Sequence, residues 1–97
     1  MNGISADWSV LLETATRLIQ NGQILDELVG TINSDVSGAS QVWQGAASQA
    51  YQEQWSSLLP QFKQAAENIV IMGSQITNYV TAQQEIEQQA QMSYQRQ

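Results

Sequence analysis

The chain has 97 residues, of which 42% are hydrophobic and only 12% carry a charge. This is enough for one domain with a core, and too little for a multidomain enzyme. Three basic residues against nine acidic ones give a net charge of −6. That balance argues against nucleic acid as a partner and against binding to an anionic membrane at neutral pH.

The chain contains neither histidine nor cysteine. The commonest general base, the commonest metal ligands and the thiol nucleophile are therefore all missing. Two acidic groups, Asp26-Glu27 and Glu85 with Glu87, have members one or two residues apart, which point in different directions on a helix and indicate a solvated face. The sequence therefore predicts a protein that is not an enzyme and holds no metal or cofactor.

The first ten residues do not resemble a cleaved signal peptide, because polar residues occupy the place of its apolar segment. No apolar run approaches the roughly 18 residues of a membrane span. We therefore expect a chain that is made in soluble form.

Apolar residues recur in alternating steps of four and three along two long stretches, which is the spacing of helices that pack side by side. The first heptad row is Leu11, Ala15, Leu18, Gly22, Leu25, Val29, Ile32, Val36, Ala39 and Trp43, and the second heptad row is Tyr51, Trp55, Leu58, Phe62, Ala65, Ile69, Met72, Ile76, Tyr79, Gln83, Ile86 and Ala90. The rows predict an all-α protein whose core they form.

The expected organisation is a helix over about residues 7–40, a turn over 41–45, a second helix over 46–90 and a frayed, glutamine-rich tail over 91–97. Asp7 or Ser9 is suited to cap the first helix, and Gly45 supplies the turn. Pro60 lies opposite the second heptad row, where it bends the helix without breaking the core.

Two features concern how the helices pack. Gly22 and Gly73 lie on or beside the rows, where a missing side chain lets the helices approach. Val70 and Ile71 point away from the rows and suggest a small exposed patch.

Apolar residues also flank both rows: Leu12, Ile19, Leu28, Val42, Leu59, Ala66 and Val80. A two-helix hairpin buries only the strip between its helices, so stripes this wide favour a larger assembly. The predicted fold is an antiparallel helical hairpin that dimerises into a four-helix bundle.

Each of the three tryptophans suggests a different role. Trp55 is expected in the core, and Trp8 at the entry to the first helix. Trp43 closes the first heptad row at the turn, where it either plugs the open end of the hairpin or takes part in recognition.

The segment Trp43-Gln44-Gly45 lies in mid-chain between two long helices, with Tyr51 and Trp55 following it. With the acidic charge and the lack of cysteine, this arrangement resembles the WXG family of small early-secreted-antigen-like proteins exported by type VII secretion systems. The resemblance spans about residues 4–90.

The resemblance implies hairpins that pair antiparallel, as homodimers or heterodimers. Such proteins are made in the bacterial cytoplasm, leave without a cleaved signal peptide, and act outside as effectors or virulence factors. A homodimer is favoured here because neither row carries a block of like charge. Two alternatives stay open: an accessory pairing partner or export chaperone for a larger helical effector, and a protein that acts on membranes in acid.

The resemblance also implies a composite export signal, and our hypothesis is that the secretion ATPase binds it at the end of the paired hairpins. Trp43 and Gly45 match the family's turn, which acts together with a C-terminal motif of the partner, a tyrosine followed four residues later by Asp or Glu. Here Tyr79 is followed by the neutral Gln83. Either that amide suffices, or an acidic residue such as Glu87 is read about one turn later, or a different partner carries the signal.

Overall fold

The computed structural model describes residues 7–95, with side chains as far as residue 93. Two helices, α1 (Trp8–Val42) and α2 (Ala46–Gln95), lie along each other in an antiparallel hairpin. The molecule measures 79 × 21 × 17 Å and its radius of gyration is 22.1 Å. A globular chain of this length has a radius of gyration of about 13 Å. The predicted helical hairpin is confirmed, and its shape is a rod.

α1 begins at a cap made by Asp7. The Asp7 Oδ1 atom accepts hydrogen bonds from the backbone N–H groups of Ser9 and Val10, at 3.1 and 3.2 Å, and from the Ser9 hydroxyl at 2.9 Å. Hydrogen bonds from the Ser9 side chain and from the Val10 backbone hold the pKa of Asp7 below its ordinary value, because they favour the carboxylate. Of the two predicted caps, Asp7 is therefore the cap and Ser9 supports it.

We expect the first turn of α1 to lose stability in acid. Because the pKa of Asp7 is lowered by folding, its stabilising effect is fully present above an ordinary value of about 3.9, and it is lost as the pH falls through the lowered pKa. A titration of helicity by circular dichroism checks this, with Asp7→Asn as the control that keeps the cap but does not ionise. Identical acid titrations for the two proteins would contradict the prediction.

The turn occupies three residues. Trp43 adopts an extended conformation (φ −122°, ψ 112°), and its N–H donates to the carbonyl of Ala39 at 3.0 Å. Gly45 has a φ of +115°, in the region that favours glycine, so the predicted turn residue is confirmed. Its carbonyl accepts from the N–H of Gln49 at 3.1 Å, which starts α2.

Small residues form the contact between the helices. The fully buried positions are Ala15, Gly22 and Val29 on α1 and Ser48, Ala66, Gly73 and Val80 on α2. A Cβ atom on Gly22 would lie 2.9 Å from the carbonyl oxygen of Ala66, and one on Gly73 would lie 2.7 Å from that of Ala15. The prediction that these glycines allow close approach is confirmed.

The prediction that Val70 points away from the heptad rows is wrong. The Cγ2 atom of Val70 would lie 2.6 Å from a Cβ on Gly22, so Val70 packs against α1. Only Ile71 remains on the outer face, where it is 43% exposed. Glycine at position 22 leaves room for a branched side chain opposite, which is why Val70 turns inward.

The second heptad row is less buried than the residues beside it. Leu59, Ala66, Gly73 and Val80 face α1, and each follows a member of the row by one position. Of the predicted core, Val29 is buried, Leu11, Leu18, Leu25, Val36, Trp55, Ile69 and Ile76 are half-buried, and Ile32, Leu58 and Phe62 are exposed in the single hairpin. Because α1 and α2 lie close together, small side chains fill the space between them. The large apolar side chains of the second heptad row therefore lie to one side of this contact.

α2 is longer than predicted. It runs through Pro60 without interruption and continues to Gln95, about five residues beyond the expected end. No glycine or proline follows Gly73, and the Gln, Glu, Ala and Met residues that do follow favour helix. Residues 96 and 97 of the predicted tail lie outside the described part of the chain.

Candidate functional site

The turn end of the hairpin carries two aromatic side chains. The rings of Trp43 and Tyr51 meet edge to face, with their centroids 5.5 Å apart and their planes at 61°. Trp43 is 41% exposed and Tyr51 is 63% exposed. Trp43 is therefore held by a neighbour and still presents a large part of its indole to solvent.

A groove of about 220 Å³ lies beside these rings, and we call it the turn groove. It is lined by Ile32, Asp35, Val36, Ala39, Ser40, Trp43, Ser48, Tyr51 and Gln52. Ser48 is buried, and its hydroxyl accepts a hydrogen bond from the Gln52 side-chain amide at 3.2 Å. Most of the remaining wall is carbon, so the turn groove suits an apolar side chain.

The opposite end of the hairpin is organised around Trp8. Its ring meets that of Tyr79 edge to face at 6.4 Å, and its Nε1–H donates to Glu87 Oε2 at 3.4 Å. Gln83 is half-buried nearby on the same helix. The structure thus brings two of the three predicted C-terminal export residues, Tyr79 and Glu87, to one side chain of α1.

The contacts of Trp8 were not predicted from the sequence. Trp8 lies seven residues before Ala15, so it extends the first heptad row by one step towards the N-terminus. That spacing was the available signal. The role predicted for Trp8, at the entry to the first helix, involves only its own helix and does not include the contacts with Tyr79 and Glu87.

The two ends are far apart within one hairpin. Tyr79 lies 33 residues after the start of α2, which at a rise of about 1.5 Å per residue is about 50 Å from the turn. Trp43 and the Tyr79–Glu87 segment therefore do not meet in a single chain.

One side of the hairpin connects the two ends. We call it the apolar face, and it consists of Leu11, Leu18, Leu25 and Ile32 on α1 and of Tyr51, Leu58, Phe62, Ile69, Met72, Ile76, Tyr79 and Ile86 on α2. Near Trp8 it contains an open groove of about 310 Å³ lined by Leu11, Met72, Gln75, Ile76 and Tyr79. No member of the face is charged.

Trp55 lies at the edge of this face, with a polar contact to α1. Its Nε1–H donates to the Asn33 side-chain oxygen at 2.8 Å, and its ring stacks on Phe62 with centroids 6.1 Å apart. This hydrogen bond satisfies the indole and holds the two helices together near the turn.

The other side of the hairpin is more polar. An open groove of about 590 Å³ is lined there by Gly22, Gln23, Asp26, Glu27, Lys63, Ala66, Glu67 and Val70. Among the described residues, no group of three or more carboxylates forms a candidate metal site. Within residues 7–95 there is also no helix long and apolar enough to cross a membrane.

A rod of two antiparallel helices, with a Trp-x-Gly turn at one end, defines a class of small helical hairpin proteins. The chain belongs to the WXG100 family, described as proteins of 100 residues with WXG, whose model matches residues 3–89. The family is one of small type VII secretion substrates. No curated protein and no solved structure gives a significant match to the chain.

Proposed function

We propose that this protein is a non-enzymatic substrate of a type VII secretion system. It is made in the bacterial cytoplasm, leaves without a cleaved signal peptide, and acts outside the cell as an effector or virulence factor. The observation that carries this proposal is the exposed Trp43 beside the turn groove, in a chain of the WXG100 family.

Pairing is part of the proposal, because the two parts of the export signal lie at opposite ends of one hairpin. An antiparallel partner would place its own Tyr79–Glu87 segment near the Trp43 of the first chain. Each end of the pair would then present one combined surface to the secretion ATPase. The hydrogen bond between Trp8 and Glu87 favours Glu87, and not Gln83, as the acidic part of that surface.

An accessory role is the second candidate. The apolar face offers a helical partner an uncharged surface, and a larger effector with a matching hairpin would bury it equally well. In that case the protein would be a pairing partner or export chaperone, and it would co-purify with the effector in place of a second copy.

The Trp43→Ala variant tests the export proposal. We expect the amount of protein in the culture supernatant to fall by about tenfold or more, as for loss of an aromatic anchor from an interface. Helicity should stay unchanged, because Trp43 follows the last residue of α1. Immunoblots of cells and supernatants measure export, and circular dichroism of the purified variant measures folding.

The neighbouring Gln44→Ala variant is the matched control, and a strain without the secretion ATPase sets the background. Normal export of Trp43→Ala would contradict the proposal that the Trp43 side chain is part of the export signal. Loss of helicity in the variant would show that Trp43 is a structural plug.

A further inference from the structure

The last part of α2 extends beyond the first residue of α1. Gly73 packs against the backbone of Ala15. Because the helices are antiparallel, Trp8, seven residues before Ala15, lies level with Val80, seven residues after Gly73. Residues 81–95 of α2 therefore extend past Trp8, over about 22 Å. An isolated helix of this length is marginal in water, so its order depends on the contacts made where it leaves α1.

Trp8 makes such contacts over two turns of α2. The Cα–Cβ bonds of a helix tilt towards its N-terminus, so the Trp8 side chain leans towards the extension and the Glu87 side chain leans back towards α1. They meet through the Trp8 Nε1–H group and Glu87 Oε2, at 3.4 Å. The same indole ring lies edge to face with the ring of Tyr79. One side chain of α1 therefore spans the eight residues from Tyr79 to Glu87, about 12 Å of helix.

Tyr79 and Glu87 are held by Trp8 but are not hidden by it. Tyr79 is 56% exposed, and Glu87 is also exposed. A groove of about 440 Å³ lies beside the contact, with Glu85 and Glu87 in its wall. Of the described residues that line this groove, Trp8 alone belongs to α1. Trp8 therefore completes a polar groove next to these side chains and leaves them accessible to a partner.

We propose that Trp8 is a positioning residue for the C-terminal export element. It keeps the segment from Tyr79 to Glu87 helical and fixes the orientation of both side chains. The inference rests on the proposed function, in which these two residues belong to the export signal. Residues spaced by four lie along one inclined row of a helix, so Tyr79, Gln83 and Glu87 share a row only while the helix is intact. Trp8 contacts both ends of that row.

Amide hydrogen exchange, measured residue by residue by NMR, tests whether Trp8 orders this part of α2. In Trp8→Ala we expect the amides of residues 84–91 to exchange about twofold to tenfold faster, as for loss of one aromatic pair, because the helix end opens more often. Val10→Ala is the matched control: it removes a side chain that is 49% exposed from the same turn of α1 and should leave exchange unchanged. Unchanged exchange in Trp8→Ala would overturn the proposal.

The indole N–H signal of Trp8 reports on the contact itself. This NMR signal is identified by its absence from Trp8→Phe. It should move in Glu87→Ala and stay in place in Glu85→Ala, which removes the other carboxylate of the same groove. A signal that moves in neither variant, or only in Glu85→Ala, would overturn the assignment of Glu87 as the residue that Trp8 holds.

Export of the same variants tests the functional consequence. We expect Trp8→Ala to lower the amount of protein in the culture supernatant by about twofold to tenfold, in step with its faster exchange. Trp8→Phe keeps a ring against Tyr79 and loses only the N–H donor, so it should restore most of both the export and the slow exchange. Val10→Ala should be exported normally.

The possible failures are distinguishable. Faster exchange in Trp8→Ala with normal export would show that order at this end of α2 does not control export. Reduced export with unchanged exchange would mean that Trp8 is itself bound by the export machinery and does not act through Tyr79 and Glu87. Secretion of the unmodified protein by cells without the ATPase would overturn the proposed function, whereas the NMR measurements would still judge the contact between Trp8 and α2.

Discussion

Gly73→Ala is expected to destabilise the hairpin, although alanine is the better helix former. A Cβ atom at position 73 would lie 2.7 Å from the Ala15 carbonyl oxygen and 3.2 Å from the Ile19 backbone nitrogen. Backbone atoms cannot turn aside as a side chain does, so α1 must move away along its length. Overpacking of this kind costs about 1–3 kcal/mol in the free energy of unfolding.

Gly30→Ala is the matched control. Nothing lies within 4 Å of a Cβ at position 30, and neither glycine has a positive φ. Both substitutions therefore gain the same helix propensity of about 1 kcal/mol, and the difference between them isolates the packing cost. Urea unfolding at one fixed protein concentration measures both. Equal stabilisation of the two variants would show that the helices do not approach as closely as described.

The helices and the turn could be predicted from the sequence because they depend on local chemistry. Alternating steps of four and three identify helices that pack together, and Gly45 stands where a residue with positive φ is needed. The same holds for Asp7, whose carboxylate caps α1 through contacts only two and three residues away.

The division of the apolar residues between two interfaces could not be predicted in the same way. The spacing marked Leu58, Ala65, Met72 and Tyr79 as core, whereas the residues one position later face α1. A heptad pattern gives the width of an apolar stripe on a helix. It does not show which part of the stripe packs against the other helix of the same chain and which part remains on the surface. That choice depends on interhelical distance, which Gly22 and Gly73 set from opposite helices.

The candidate site was predicted only in part for a related reason. Trp43 and Gly45 are adjacent in the chain and carry a recognisable motif, whereas Trp8 and Glu87 are 79 residues apart and meet only when the helices pair. The length of α2 decides that contact, since the helix must extend past the first turn of α1 to bring Glu87 to Trp8. Only the structure shows which acidic residue near Tyr79 is held in place.

The packing between α1 and α2 determines which apolar side chains remain available for assembly. Because small side chains fill the contact between α1 and α2, many of the large apolar side chains collect on one face, where they are exposed or half-buried. Exposed apolar surface of this extent marks a site of association. The exposed Trp43 and the apolar face are continuous through the turn groove, so pairing and export are expected to depend on neighbouring surfaces.

Met72→Glu is expected to separate the paired chains without unfolding either of them. Met72 is 52% exposed in the single hairpin, so the carboxylate can remain in water when the chain is alone. In a pair joined through the apolar face, the added carboxylate would be covered by the partner and removed from water. Each 1.4 kcal/mol raises the dissociation constant tenfold, and a buried unpaired charge costs several kcal/mol, so we expect an increase of about a hundredfold or more.

The adjacent residue supplies the control. Ile71 is 43% exposed but lies on the outer face, so Ile71→Glu adds the same charge to the same helix turn and should leave the dissociation constant unchanged. Sedimentation equilibrium over a range of concentrations measures both variants, and circular dichroism checks that their helicity matches the unmodified protein. Weakening by Ile71→Glu and not by Met72→Glu would place the interface on the other side of α2. Equal weakening by both would mean that net charge, and not the apolar face, controls association, since two more negative charges per pair repel from any position.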